Sequence, residues 1–148
     1  MLLIPGASEH REAKRWPEEN YAELATRIAD AGIMPVIIGG KAEGPLAHSI
    51  ARREPRVKNL VTRTDLFQIV TLAEKALFVV GNDTGPMHMA TLAGAPGIAL
   101  FALTESDPDH SAPRGPKAPV IINSAPTLKE LSVDDVWQSV RALGLLPA

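Results

Sequence analysis

Short apolar runs bounded by glycine or proline alternate along this chain with longer segments of helical period. The runs cover residues 2–4, 34–38, 57–61, 77–80, 97–101 and 120–122 and read as buried strands. Between the first two, Trp16, Tyr21, Leu24, Ile28 and Ala31 recur at helical spacing. That spacing predicts a helix over 16–31, with Pro17 in its first turn and Gly32 as its C-cap. Further helices are predicted over 45–53, 66–76, 86–93 and 133–143. Thr64 or Asp65 can cap the third of these five, and Ser132, with Asp135 three residues on, opens the last. Strands alternating with helices are the signature of repeated βα units around a mostly parallel sheet. Residues 102–117, rich in Pro, Asp, Ser and Gly, form the one long irregular stretch, and such a loop at a strand end is expected to border a site.

Size narrows the picture: 148 residues make one ordinary domain. Fifteen Lys+Arg against seventeen Asp+Glu leave no basic stripe, which argues against nucleic acid as a partner. There is no cysteine, hence no disulfide or thiolate metal site, as fits a reducing cytosol. The opening Met1–Gly6 lacks the charged region and long apolar run of a signal peptide. No run reaches the roughly 18–20 apolar residues of a membrane span.

The candidate chemistry lies where strands run into loops. In an open α/β sheet the ligand crevice forms at the carboxyl ends of the strands. After the first strand come Pro5-Gly6-Ala7-Ser8 and then Lys14-Arg15-Trp16-Pro17. Gly6 permits close backbone approach, Ser8 can donate to a phosphate oxygen and Lys14 can neutralise it. After the second strand, Gly39-Gly40-Lys41-Ala42-Glu43 places a carboxylate where nucleotide-binding folds grip ribose hydroxyls, although Glu43 equally suits a first helical turn. Neither GxGxxG nor GxxxxGK[ST] occurs. The most informative stretch is Gly81-Asn82-Asp83-Thr84-Gly85-Pro86-Met87-His88, a strand end passing through a polar turn into a helix. Such a turn aims helix N–H groups at an anion, with Thr84 and His88 four apart on one face. Asp107-Pro108-Asp109-His110 is too local for a closed metal site.

Taken together, these segments and Leu100-Phe101-Ala102-Leu103-Thr104 resemble the C-terminal domain of glycosyltransferase family 9, the heptosyltransferases, over nearly the whole chain. The most specific pieces are Lys-x-Trp-Pro at 14–17 and Asp-Thr-Gly-x-x-His at 83–88. The resemblance implies a Rossmann-like, doubly wound α/β fold with a mostly parallel sheet of about six strands and helices on both faces, one half of a GT-B enzyme. Residues 1–148 would be a single donor-binding domain, without the N-terminal acceptor domain and its general base. The implied reaction is inverting transfer of heptose from ADP-heptose to the lipopolysaccharide inner core, independent of metal and of any cofactor. Ser8 and Lys14 would contact the diphosphate or sugar, Glu43 the ribose, Thr64 the adenine and Asp83 the heptose hydroxyls. Thr84, Gly85 and His88 would lie at the phosphates. No residue of this chain is expected to be the catalytic base, so the chain alone should bind nucleotide without transferring sugar. The lipopolysaccharide acceptor would be met only through the missing domain. The implied location is cytoplasmic, with peripheral attachment at the inner face of the bacterial inner membrane left open. A non-catalytic module binding a nucleotide or sugar phosphate, or a plain structural domain, are the competing readings.

Overall fold

The structure, a computed structural model, describes residues 1–7 and 10–148. In chain order the elements are β1 (Leu2–Ile4), α1 (Glu18–Asp30), β2 (Val36–Ile37), α2 (Gly44–Arg53), β3 (Lys58–Asn59), α3 (Leu66–Lys75) and β4 (Val79–Asn82). Then follow α4 (Gly85–Leu92), β5 (Gly97–Ala102), α5 (Pro108–Ser111), β6 (Val120–Ala125) and α6 (Val133–Ala142), with short 3-10 turns at Glu12–Lys14, Lys41–Glu43 and Leu128–Glu130. The six strands form one sheet in the order β3-β2-β1-β4-β5-β6, and every pairing is parallel. The doubly wound architecture expected from the sequence is therefore the one found. No helix among the described residues is long and apolar enough to cross a membrane.

The central strands β1, β4 and β5 are apolar along most of their length because both of their faces are covered. Leu3, Val80, Ile98 and Leu100 point into a core completed by Tyr21, Leu24 and Ile28 of α1, Ile50 of α2, and Val136 and Val140 of α6. Leu2, Ile4, Val79, Ala99 and Phe101 point the other way, against Ile69 and Ala73 of α3 and Met87 and Ala90 of α4. The period of two along each strand thus divides the side chains between two cores.

Differences from the sequence reading are local. Helix α1 begins at Glu18, with Pro17 outside it in an extended conformation (ψ 143°). Trp16 precedes a proline, which disfavours helical backbone, and its ring is buried while its Nε1 donates to the Leu131 carbonyl at 2.9 Å. Gly32 follows the helix end at φ +83°. Strand β6 runs three residues past the apolar run, to Ala125, because it pairs with β5 along its whole length. The stretch 102–117 contains the short helix α5, capped by Asp107, whose carboxylate accepts from Asp109 N at 2.9 Å.

Candidate functional site

Strand order reverses between β1 and β4, so the chain leaving β1 and the chain leaving β4 part to opposite faces. A crevice opens at that point, at the carboxyl ends of the strands. Ile4, Gly6 and Ala7 line it from β1, Gly39, Gly40 and Glu43 from β2, and Asp83, Thr84, Gly85 and Pro86 from β4; Lys14 completes it. Its volume is about 310 Å³. Five of the residues expected to contact a donor, Lys14, Glu43, Asp83, Thr84 and Gly85, therefore meet in one pocket although they lie up to seventy-one positions apart.

Asp83 is the hub. Its Oδ2 accepts from Lys14 Nζ at 3.3 Å and its Oδ1 lies 3.1 Å from His88 Nε2. A carboxylate only accepts, so the His88 proton sits on Nε2 facing Asp83. The Lys14–Asp83 pair is largely withdrawn from solvent, with side-chain exposures of 12% and 9%, whereas His88 stays 38% exposed. The helix cap itself is Thr84, not Asp83; Thr84 makes no side-chain capping bond, and its hydroxyl turns back toward the Asn82 carbonyl at 3.5 Å. The first N–H groups of α4 thus have no capping side chain and face the crevice from a helix start.

Glu43 folds back over the β2 turn and accepts from Gly40 N at 2.8 Å. A Cβ on Gly6 would stand 3.0 Å from Glu43 Oε1, and one on Gly39 3.1 Å from Glu43 Cβ, so both glycines make room for this carboxylate. Glu43 also lines a wider groove of about 840 Å³ on its other side, where Trp16 and Pro17 meet Pro45 and Leu46. Gly6 and Ala7 likewise line both.

The remaining expectations divide. Asp65, not Thr64, caps α3: its Oδ1 accepts from Gln68 N at 2.8 Å while Gln68 Oε1 accepts from Asp65 N at 2.9 Å. Thr64 is not among the residues lining the crevice, and its buried hydroxyl has no hydrogen-bond partner. Ser8 lies outside the described residues. Among the described residues, none of 102–117 lines either pocket; Glu105 of this stretch lies 3.9 Å from Arg11, which lines neither. Reading the sequence singled out neither Asn82 nor Tyr21 as a site residue, yet both are fully buried beneath the crevice and bonded to each other at 2.7 Å. A polar residue ending an otherwise apolar strand was the available signal for Asn82; Tyr21 looks like any core aromatic.

Comparison with known proteins bears on this site. A family model for glycosyltransferase family 9 (heptosyltransferase) matches residues 1–140. Lipopolysaccharide heptosyltransferase 2 of Escherichia coli (strain K12) is 36% identical over 124 residues, which cover 80% of this chain and 35% of that protein. Among solved structures, E. coli ADP-heptose lps heptosyltransferase II aligns with a TM-score of 0.82 at 32% identity, over 96% of this chain and 45% of that one. E. coli heptosyltransferase WaaC, solved with ADP, aligns with a TM-score of 0.82 at 26% identity, over 96% of this chain and 43% of that one. The chain therefore spans less than half the length of each of these relatives.

Proposed function

Because this chain belongs to glycosyltransferase family 9, the heptosyltransferases, we propose that it is the sugar-nucleotide-binding domain of an inverting glycosyltransferase and holds ADP-heptose or a related donor between β1 and β4. The observation that carries the reading is the joining of Lys14 and His88 to Asp83 beside the start of α4: Lys14 and Asp83 line the crevice of the topological switch point, and His88, outside that lining, reaches it through Asp83.

The chemistry follows from charge. In an inverting transfer an acceptor hydroxyl attacks the anomeric carbon as its bond to the diphosphate oxygen breaks. The nucleoside diphosphate leaves with the electron pair, and the hydroxyl proton passes to a base. The site must therefore compensate charge growing on the diphosphate. Lys14 and the N–H groups of Thr84 and Gly85 supply donors on this chain, His88 stands beside them with its Nε2–H directed at Asp83, and Ser8, six residues before Lys14 in sequence, is a further donor. Asp83 holds the side chains of Lys14 and His88 in place and offers its oxygens to sugar hydroxyls. Glu43 takes the ribose, and Thr64, one loop further along the sheet edge, the adenine. The acceptor, a lipopolysaccharide core, and the base that deprotonates it belong to the part of the relatives that this chain does not span. On this reading the chain by itself binds donor and transfers nothing.

Calorimetric titration with ADP, and with UDP and GDP as controls, tests this. ADP should bind in preference to the other two, and Lys14→Ala and His88→Ala should each weaken it by about tenfold or more, the loss of one charge-assisted contact. Affinity for ADP that neither substitution changes would overturn the assignment.

A further inference from the structure

Asn82 ends β4 beneath the loop that leaves β1, and its side chain makes three hydrogen bonds without any exposure to solvent. Its Nδ2 donates to the carbonyl oxygens of Pro5 at 2.9 Å and Gly6 at 3.2 Å. Its Oδ1 accepts from the Tyr21 hydroxyl at 2.7 Å. The partners dictate this orientation of the amide: two carbonyl oxygens can only accept, so the nitrogen must face them. Tyr21 is sealed in turn. Its ring meets Trp16 edge-to-face at 4.8 Å, and burial pushes its phenol well above the usual range, so it stays a protonated donor.

A trans peptide points its N–H opposite to its C=O, and the described chain has no cis peptide. Drawing the Pro5 and Gly6 carbonyls down onto Asn82 therefore turns the N–H groups of Gly6 and Ala7 away from the core. Both residues line the crevice, and among the described residues no acceptor takes up either N–H. Two successive N–H groups turned the same way make an anion-binding concavity. We propose that Asn82 and Tyr21 are a positioning pair, which aims the Gly6 and Ala7 N–H groups at the phosphates of the bound nucleotide. The proposal rests on the nucleotide-binding reading of the crevice. It also accounts for an amide at position 82, since only an amide can accept from Tyr21 and donate twice to backbone through one planar group.

Asn82→Asp tests it, because a carboxylate keeps the shape and the bond from Tyr21 but has no donor for the two carbonyls. Affinity for ADP should fall about tenfold, affinity for adenosine, which has no phosphate, should stay within twofold, and the Gly6 and Ala7 amide resonances should shift in the ligand-free protein. Tyr21→Phe should give a smaller loss of the same pattern, and the double variant should be no worse than Asn82→Asp alone, since both act through one group. A folded Asn82→Asp protein that binds ADP like the parent, or that loses ADP and adenosine equally, overturns the proposal. If Asn82→Asp does not fold, Tyr21→Phe decides, and unchanged ADP affinity with unchanged Gly6 and Ala7 resonances overturns it. If the parent binds no nucleotide, the functional reading fails separately. The resonances of the two loop amides in the variants then judge the pair: shifts support the positioning role and their constancy overturns it.

Discussion

Gly81 carries the tightest steric demand near the site. A Cβ there would stand 2.8 Å from both the Cβ and the backbone oxygen of Ile4, its partner across the β1–β4 ladder. Backbone cannot swing aside as a side-chain tip can, so Gly81→Ala must spread the two central strands. A cost of about 1–3 kcal/mol is expected, seen as a thermal midpoint several degrees lower. The sequence showed a glycine at a strand end; the neighbour that forbids a methyl group comes from seventy-seven positions away. The Asp83 hub has the same character. Asp83 and His88 share one motif and could be paired by reading it. Lys14 joins them only because the loop after β1 and the start of α4 emerge side by side.

At the scale of elements, local chemistry was the better guide. Helix α3 opens with reciprocal bonds between Asp65 and Gln68, and α6 with Ser132 Oγ accepting from Asp135 N at 3.1 Å. Asp65→Ala should cost about 0.5–2 kcal/mol, measured by urea unfolding, with the midpoint moved and the slope unchanged. The substitution should leave ADP affinity unaltered, since the Asp65 side chain serves the helix and does not line the crevice. Where the sequence reading slipped, a partner outside the element decided. Trp16 sits outside α1 because Pro17 disfavours helical backbone before it and the bond from its indole to Leu131 fixes it there, and β6 extends through the polar Asn123 and Ser124 because β5 offers a ladder there. Neither partner is visible within a window of local pattern.

Across the whole molecule, the charges of the crevice and those that tie the helices together occupy different ends. Helices α1 and α2 start at the crevice side and finish at the far edge, where Glu54 accepts from Arg56 Nε at 2.8 Å and from Thr26 Oγ1 at 2.9 Å. Arg56 also reaches Asp30 at 2.9 Å, so the ends of both helices are tied together. Hydrogen bonds from Arg56, above all, hold the Glu54 carboxyl at about 2 against an ordinary 4.5. A depressed folded-state value means the carboxylate stabilises the fold fully above about 4.5 and loses that contribution as the pH falls toward 2. Glu54→Gln should therefore be less stable than the parent at pH 7. Its deficit should shrink steadily between pH 4.5 and 2 in denaturant titrations; a deficit independent of pH would place the effect in packing.

The sequence by itself determined the class of fold, the order of the principal strands and helices along the chain, the cap of α6, the choice of Thr64 or Asp65 for that of α3, and the polar turn from β4 into α4 at Asp83–His88. These follow from periodicities and side-chain chemistry that act over a few residues, and a few residues are what a sequence displays side by side. Only the tertiary structure decided that Lys14 and Glu43 converge on Asp83, that Thr64 stands apart from them, and that Tyr21 and Asn82 brace the loop below. Each of those depends on the strand order, which reverses between β1 and β4. That reversal is set by how two apolar faces bury together, a property of the whole sheet and of no single segment.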